Sequence, residues 1–245
     1  MLNALWNGIL YQPLYNLFIL LTLLMPRHDV GLAIIVLTII VKLILLPLTQ
    51  RTITGQMKMN AMQGELNELK KSTPDRMEQQ KKTQELYKKY GINPFSSCLQ
   101  FIVQIAVLIA LYQVFRGIIH LTPLPALYSF IHFPGEPVLS MFGLIDLAAK
   151  KNIVLALLAG VTAYIQARLM KSRQKPPQGT GAQAEVQQIM QHMTVYFLPV
   201  MLIVISYTFP SAVALYLITS NIFTIAQELY VKRTLLRAPT VVSPA

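Results

Sequence analysis

VGLAIIVLTIIVKLILLPLTQR, residues 30–51, is the stretch from which the rest of the chain is read. It is apolar over a length that crosses a bilayer as a helix, for which about 20 residues suffice. One cation, Lys42, interrupts it roughly two helical turns before Arg51. A lysine at the centre of a membrane helix costs about 3 kcal/mol on insertion scales, and more if it stays charged facing lipid. By itself such a lysine can snorkel its stem toward the interface. The other apolar stretches argue instead that it faces polar groups.

Of the 245 residues, 54% are hydrophobic and 13% charged, where soluble domains carry roughly a quarter charged. With a mean hydropathy of +0.49 and several long apolar runs, the expected fold class is an all-α polytopic membrane protein. Cys98 is the single cysteine, so no intrachain disulfide forms, and His28, His120, His132 and His192 are too scattered for a metal site. No GxxxxGK[ST], GxGxxG or HExxH motif occurs. The chain is therefore expected to be no enzyme of those common types, with no catalytic residue, metal or cofactor.

In chain order, residues 1–29 carry polar breaks at Asn7, Gln12 and Asn16 and no cation before Arg27. They make a poor secretory signal and read as a helix lying at the outer interface, with a further span as the alternative. The first transmembrane helix is 30–49. Residues 50–93 are polar, with nine Lys/Arg and five acids, and helix formers on both sides of Ser72-Thr73-Pro74-Asp75. They predict a cytoplasmic antiparallel helical hairpin. Four more spans follow, at 94–116, 152–170, 193–209 and 210–231, giving five transmembrane helices in all. Residues 117–151, rich in Pro and aromatics, form an outer loop, 171–192 a flexible cytoplasmic linker, and 232–245 a cytoplasmic tail. With the amino terminus outside, sixteen Lys/Arg lie inside and four outside, as the positive-inside rule requires. Most of the net charge of +11 is thus topology, and DNA is not an expected partner.

Polar residues recur at helical spacing within the spans. Thr38 and Lys42 are four apart and share a face, as do Thr162 and Gln166. Gln104 lies mid-span. Tyr216, Ser220, Thr224 and Gln227 run down one side of the last span, with Asn221 beside them. Each one alone reads as ordinary interhelical glue, worth about 0.6 kcal/mol. Together, Lys42, Gln104 and the Tyr216 stripe predict a shared polar cavity. No acid lies within the spans, and Glu228 comes only at the inner end of the last. A cation without an intramembrane carboxylate suits an anionic visitor better than proton or cation coupling. Spans of about 17 residues reach roughly 26 Å, short of the hydrocarbon core, and predict local thinning of the bilayer.

Four segments carry a resemblance to a known family: IIVKLILLPLT at 39–49, YGINPFSSCLQFIVQIAVLIALYQVFRG at 90–117, GVTAYIQ at 160–166 and FPSAVALYLITSNIFTIAQ at 209–227. The chain resembles the YidC insertases, over roughly residues 11–233. The resemblance implies a five-span core whose hydrophilic groove opens to the cytoplasm and to lipid and is closed outside. It also implies a basic residue there that receives the polar tail of a nascent membrane protein. That residue falls on Lys42, where the family has arginine; charge is kept and the planar five-donor fork is lost. Gln104, Tyr216 and Ser220 match groove positions, while Leu217 stands where the family often has a second Tyr. Gln100 and Ala106 replace family prolines, implying a straighter second span. A long basic tail is not seen, which weakens the expectation of stable ribosome tethering.

The expected mechanism needs no nucleotide. A polar or acidic tail enters from inside, drawn by Lys42 and solvated by Thr38, Gln104, Thr162 and Ser220, within a groove that also includes Gln166, Tyr216, Asn221 and Thr224. Burial of the substrate's apolar segment, at about 25 cal/mol per Å², supplies the drive. On the hairpin, Met57, Met59 and Met62 form the expected capture surface, since flexible Met side chains suit varied apolar sequences; resting on the second helix or on lipid is the alternative. Expected partners are nascent membrane proteins and the bilayer, with ribosome, Sec translocon and signal recognition particle receptor as further candidates. With no organelle transit peptide in view, the expected location is the bacterial cytoplasmic membrane. A small-solute or anion transporter, and a non-translocating membrane assembly factor, are the competing classes.

Overall fold

The computed structural model describes residues 6–73, 75–91, 95–119, 127–128, 131, 138–172, 189 and 192–237. The linker expected at 171–192 lies almost wholly outside the described residues, as do much of the first part of the expected outer loop, Asn93-Pro94, where the second polar helix is expected to end, and residues 238–245. A π-helical turn, Trp6–Tyr11, leads into α1 (Gln12–Leu24). Then come α2 (Val30–Ile44), α3 (Leu46–Ser72), α4 (Arg76–Lys89) and α5 (Phe95–Ile119). A two-stranded antiparallel ribbon, β1 (Ser140–Met141) with β2 (Ile145–Asp146), precedes α6 (Ile153–Lys171). A second π-helical turn, Met193–Phe197, opens into α7 (Leu198–Thr208), and α8 (Ser211–Arg237) ends the described chain.

Three of these helices are long and apolar enough to cross a membrane: Trp6–Leu24, Ile153–Lys171 and Ser211–Val231. A fourth candidate is the pair Val30–Ile44 and Leu46–Leu69, bent by 56°. The bend falls at Leu45, just before Pro47. Proline has no N–H for the helix ladder and clashes with the preceding turn, while suiting the first turn of a new helix. The apolar helix thus stops at Ile44, and residues 46–49 begin the polar helix. The apolar helices Ile102–Ile118 and Met193–Thr208 are shorter.

Local chemistry sets several starts. Asp29 caps α2, its Oδ1 accepting from the Leu32 N–H at 3.0 Å; Asn152 caps α6 through Leu155 at 3.1 Å; Asp75 caps α4 through Met77 at 3.0 Å. Each carboxamide or carboxylate takes a donor the helix cannot satisfy itself. α4 also carries Glu78 in its first turn and Lys88 and Lys89 in its last, matching the helix dipole.

α8 is the centre of the bundle, packing on α2, α5, α6 and α7. Its first seven residues, 211–217, are all buried. The core joins them to Tyr15, Phe18, Ile34, Leu37, Leu111 and Val114. α1 contributes Tyr15, Phe18 and Ile19 to this core while exposing Leu20 and Leu24. Gly160 lets α6 approach α7 closely: a methyl group there would overlap the Ile203 side chain. Inside lipid such fit stabilises through packing rather than through transfer from water.

One end of the bundle is covered. Asp29 Oδ2 accepts from the Phe142 N–H at 2.7 Å, and the Val30 N–H reaches the Val138 carbonyl at 3.4 Å. The Ser211 hydroxyl donates to the Ala149 carbonyl at 2.8 Å, and the Ala212 N–H to the Leu147 carbonyl at 3.1 Å. The segment 138–152 is thereby stitched to both α2 and α8. Gly31 makes room for it, since a Cβ there would lie 2.6 Å from Met141 Cβ. At the other end α4 folds back along α3, burying Met62 against Leu86, with Met59 and Tyr87 packed beside them. Glu65 on α3 accepts from Lys89 Nζ at 3.1 Å and from the Tyr90 hydroxyl. These two donors hold the Glu65 carboxyl below its ordinary range.

Candidate functional site

Lys42 lies in the last turn of α2, turned into the bundle. Its ammonium donates to Gln104 Oε1 at 3.3 Å on α5 and to Thr224 Oγ1 at 3.2 Å on α8. The other end of the Gln104 amide donates to the Tyr216 hydroxyl at 2.8 Å. Thr224 passes its own proton back to the Ser220 carbonyl at 2.9 Å, leaving its oxygen to accept from the lysine. One cation and one amide thus link three helices. An ammonium has three N–H donors; two are used here, and the third has no acceptor among the described residues. Both acceptors are neutral side chains.

A second polar contact lies beside the first. Asn221 Nδ2 donates to Thr162 Oγ1 at 3.1 Å and to the Ala159 carbonyl at 3.3 Å. Thr162 returns its proton to the Leu158 and Ala159 carbonyls. This pair fastens α6 to α8.

With this geometry in view, residues 22–238 match the sequence model of the family described as 60Kd inner membrane protein. The chain belongs to this family. Among its relatives within the family, the membrane protein insertase YidC of Clostridium tetani is 34% identical over 211 residues, which is 85% of this chain and 84% of that one. YidC of Oceanobacillus iheyensis is 31% identical over 96% of this chain and 86% of its own. The insertase MisCA of Bacillus subtilis is 31% identical, over 93% and 79%. A solved structure, the active YidC insertase crystal structure with the first transmembrane domain resolved, superposes with a TM-score of 0.57 at 25% identity. It covers 90% of this chain, which spans under half, 45%, of the solved one. The family is one of membrane protein insertases rather than of enzymes, and the chain shares its helical membrane fold.

Within this family fold, the residues expected from sequence fall into three groups. Lys42, Gln104, Tyr216 and Thr224 meet side chain to side chain, and Ser220 joins through its carbonyl. Thr162 and Asn221 bind each other instead of the lysine. Thr38 is buried on the lysine's face but donates to its own helix, to Ile34 O at 2.6 Å; half-buried Gln166 joins none of these hydrogen bonds. On α3, Met62 has no exposed surface, whereas Met57 and Met59 are half-buried. Sequence reading passed over Glu228 as an acid merely at the end of a span. It is 6% exposed and lies one turn beyond Thr224. Counting by fours from Tyr216 leads through Ser220 and Thr224 to Glu228, a signal available in the sequence.

Proposed function

We propose that the chain is a membrane protein insertase of the bacterial cytoplasmic membrane, with its amino terminus outside and its carboxy-terminal tail in the cytoplasm. In this reading α2, α5, α6, α7 and α8 are the five spans, the α3–α4 pair is a cytoplasmic hairpin, and segment 138–152 closes the outer end. The polar tail of a nascent membrane protein enters from the cytoplasm and reaches Lys42, whose spare donor takes a carboxylate. At an effective dielectric near 20, a charge pair at 4 Å gains about 4 kcal/mol, which offsets part of the cost of drawing that carboxylate out of water. Gln104, Ser220 and Tyr216 supply further polar contacts, while Thr162 and Asn221 hold the groove wall. The short helices Ile102–Ile118 and Met193–Thr208 would thin the bilayer and shorten the path. The apolar segment then leaves into lipid. Met57 and Met59 carry the proposed capture surface, propped by Met62 beneath. Ribosome, Sec translocon and signal recognition particle receptor are proposed partners by family analogy alone.

The observation that carries this reading is a half-buried ammonium held by two neutral acceptors with one donor to spare. The test is insertion of a single-span protein with an acidic amino-terminal tail into vesicles containing the purified chain. Lys42→Ala should slow it and Lys42→Glu should stop it; undiminished insertion by Lys42→Glu would overturn the reading. Solute flux from the same vesicles, without insertion, would favour a transporter, and neither activity an assembly factor.

A further inference from the structure

At the end of the bundle away from α3 and α4, two bulky apolar side chains lie outside the core. The ribbon turns at Phe142-Gly143, with φ of 52° and 71°, and the Leu144 N–H closes the turn on the Met141 carbonyl at 3.0 Å. Two successive residues of positive φ make a tight β-turn, for which Asn-Gly and Asp-Gly are the usual choices in water. Here a phenylalanine stands first and a leucine follows the glycine. Phe142 is 63% exposed and Leu144 87%, the highest value among the large apolar residues described.

The height of this tip is fixed by α2. The Phe142 N–H donates to Asp29 Oδ2 at 2.7 Å, and Asp29 is the cap from which apolar α2 starts. Exposed Arg27 and His28 come just before it. Asp29 therefore marks the level at which polar chain gives way to apolar helix, and Phe142 and Leu144 protrude beside that level. Exposed Lys150 and Lys151 stand in the same way just ahead of α6, whose first turn exposes Ile153 and Val154. Cations followed by exposed apolar side chains match the order of a bilayer surface, phosphates first and acyl chains beyond.

We propose that the ribbon tip, residues 142–144, is a lipid anchor occupied by the bilayer leaflet at this end, the outer one in the topology proposed above. Phe142 and Leu144 enter the boundary between headgroups and acyl chains, and Arg27 meets the phosphates. Burial of the two apolar side chains offsets the cost of holding a bulky residue in the left-handed conformation. The bond to Asp29, and the seat of Met141 against Gly31, pass the anchorage on to α2. The tip thereby sets the depth of Lys42, about 20 Å further along the helix. This anchor requires only that the bundle sits in a bilayer, so it stands apart from the insertase reading.

Trp6 is the single tryptophan, so Trp6→Phe gives a silent background for Phe142→Trp and, separately, Leu144→Trp, both at exposed positions. The full chain is placed in vesicles of phosphatidylcholine and phosphatidylglycerol, brominated either just below the headgroup or near the methyl end of the acyl chains. Emission should be blue-shifted from that of indole in water. Shallow bromines should quench about twofold more than deep ones, since apolar side chains at an interface reach about 5–10 Å into the boundary. Unshifted emission without quenching, in either variant, overturns the anchor, because the tip then lies in water. Blue-shifted emission without bromine quenching also overturns it, because protein then covers the tip, whether a second copy or another part of this chain. Stronger quenching by the deep bromines overturns the placement at the boundary.

Discussion

Lys42 is positioned through Gln104, whose amide uses its oxygen on the ammonium and its nitrogen on the Tyr216 phenol. Removing that amide leaves the buried Tyr216 hydroxyl and the half-buried ammonium each short of a partner, which is costlier than losing one hydrogen bond. Gln104→Leu should therefore lower insertion of acidic-tailed substrates severalfold, though less than Lys42→Ala, because the charge remains. Initial rates in vesicles check the ranking. Glu65 gives a second expectation at this scale. Its folded value lies below the ordinary one of 4.5 because the Tyr90 hydroxyl and Lys89 stabilise the carboxylate. The contact thus adds full stability above that ordinary value and loses it as pH falls through the lowered one. Lys89 is raised from 10.5 by the same pairing, so its share is complete below that value and is lost as pH rises through the raised one. Spin labels placed across α3 and α4 should report loosening at both extremes, and Glu65→Gln should abolish the acid limb.

Among elements, the contact of α6 with α7 has least room to change. Gly160→Leu must displace Ile203, and overpacking of that kind costs about 1–3 kcal/mol. The melting temperature in detergent should fall, whereas Gly55→Ala, which meets nothing within 4 Å, should leave it unchanged. The break at Leu45 and Pro47 was legible from sequence as a proline, yet its consequence was not. A run of 20 apolar residues reads as one span by composition, whereas the missing N–H and ring clash end the helix five residues earlier. The caps Asp29, Asp75 and Asn152 each stand immediately before the helix they start. That Asp29 also fastens the Phe142 amide, 113 residues away, is a tertiary fact that no local pattern encodes.

At the scale of the whole molecule, the α3–α4 pair projects from the bundle with its own small core of Met62 and Leu86. If it captures substrate, deleting residues 54–87 should reduce insertion strongly while leaving the bundle folded; intact insertion would end that role. Composition and periodicity were enough to determine a helical membrane protein, the polar helix pair, and a face of polar residues around Lys42, because burial in lipid forbids most other arrangements. The motifs were enough to point to the family that the match over residues 22–238 establishes. Only the tertiary structure decided which polar residues meet the lysine. Thr162 and Asn221 satisfy one another, Thr38 satisfies its own helix, and Glu228 is buried on the stripe below Thr224. Helical spacing tells which side chains share a face, but hydrogen-bond partners depend on how neighbouring helices are rotated and how closely they approach. That is set by packing contacts such as Gly160 against Ile203, which join residues distant in sequence.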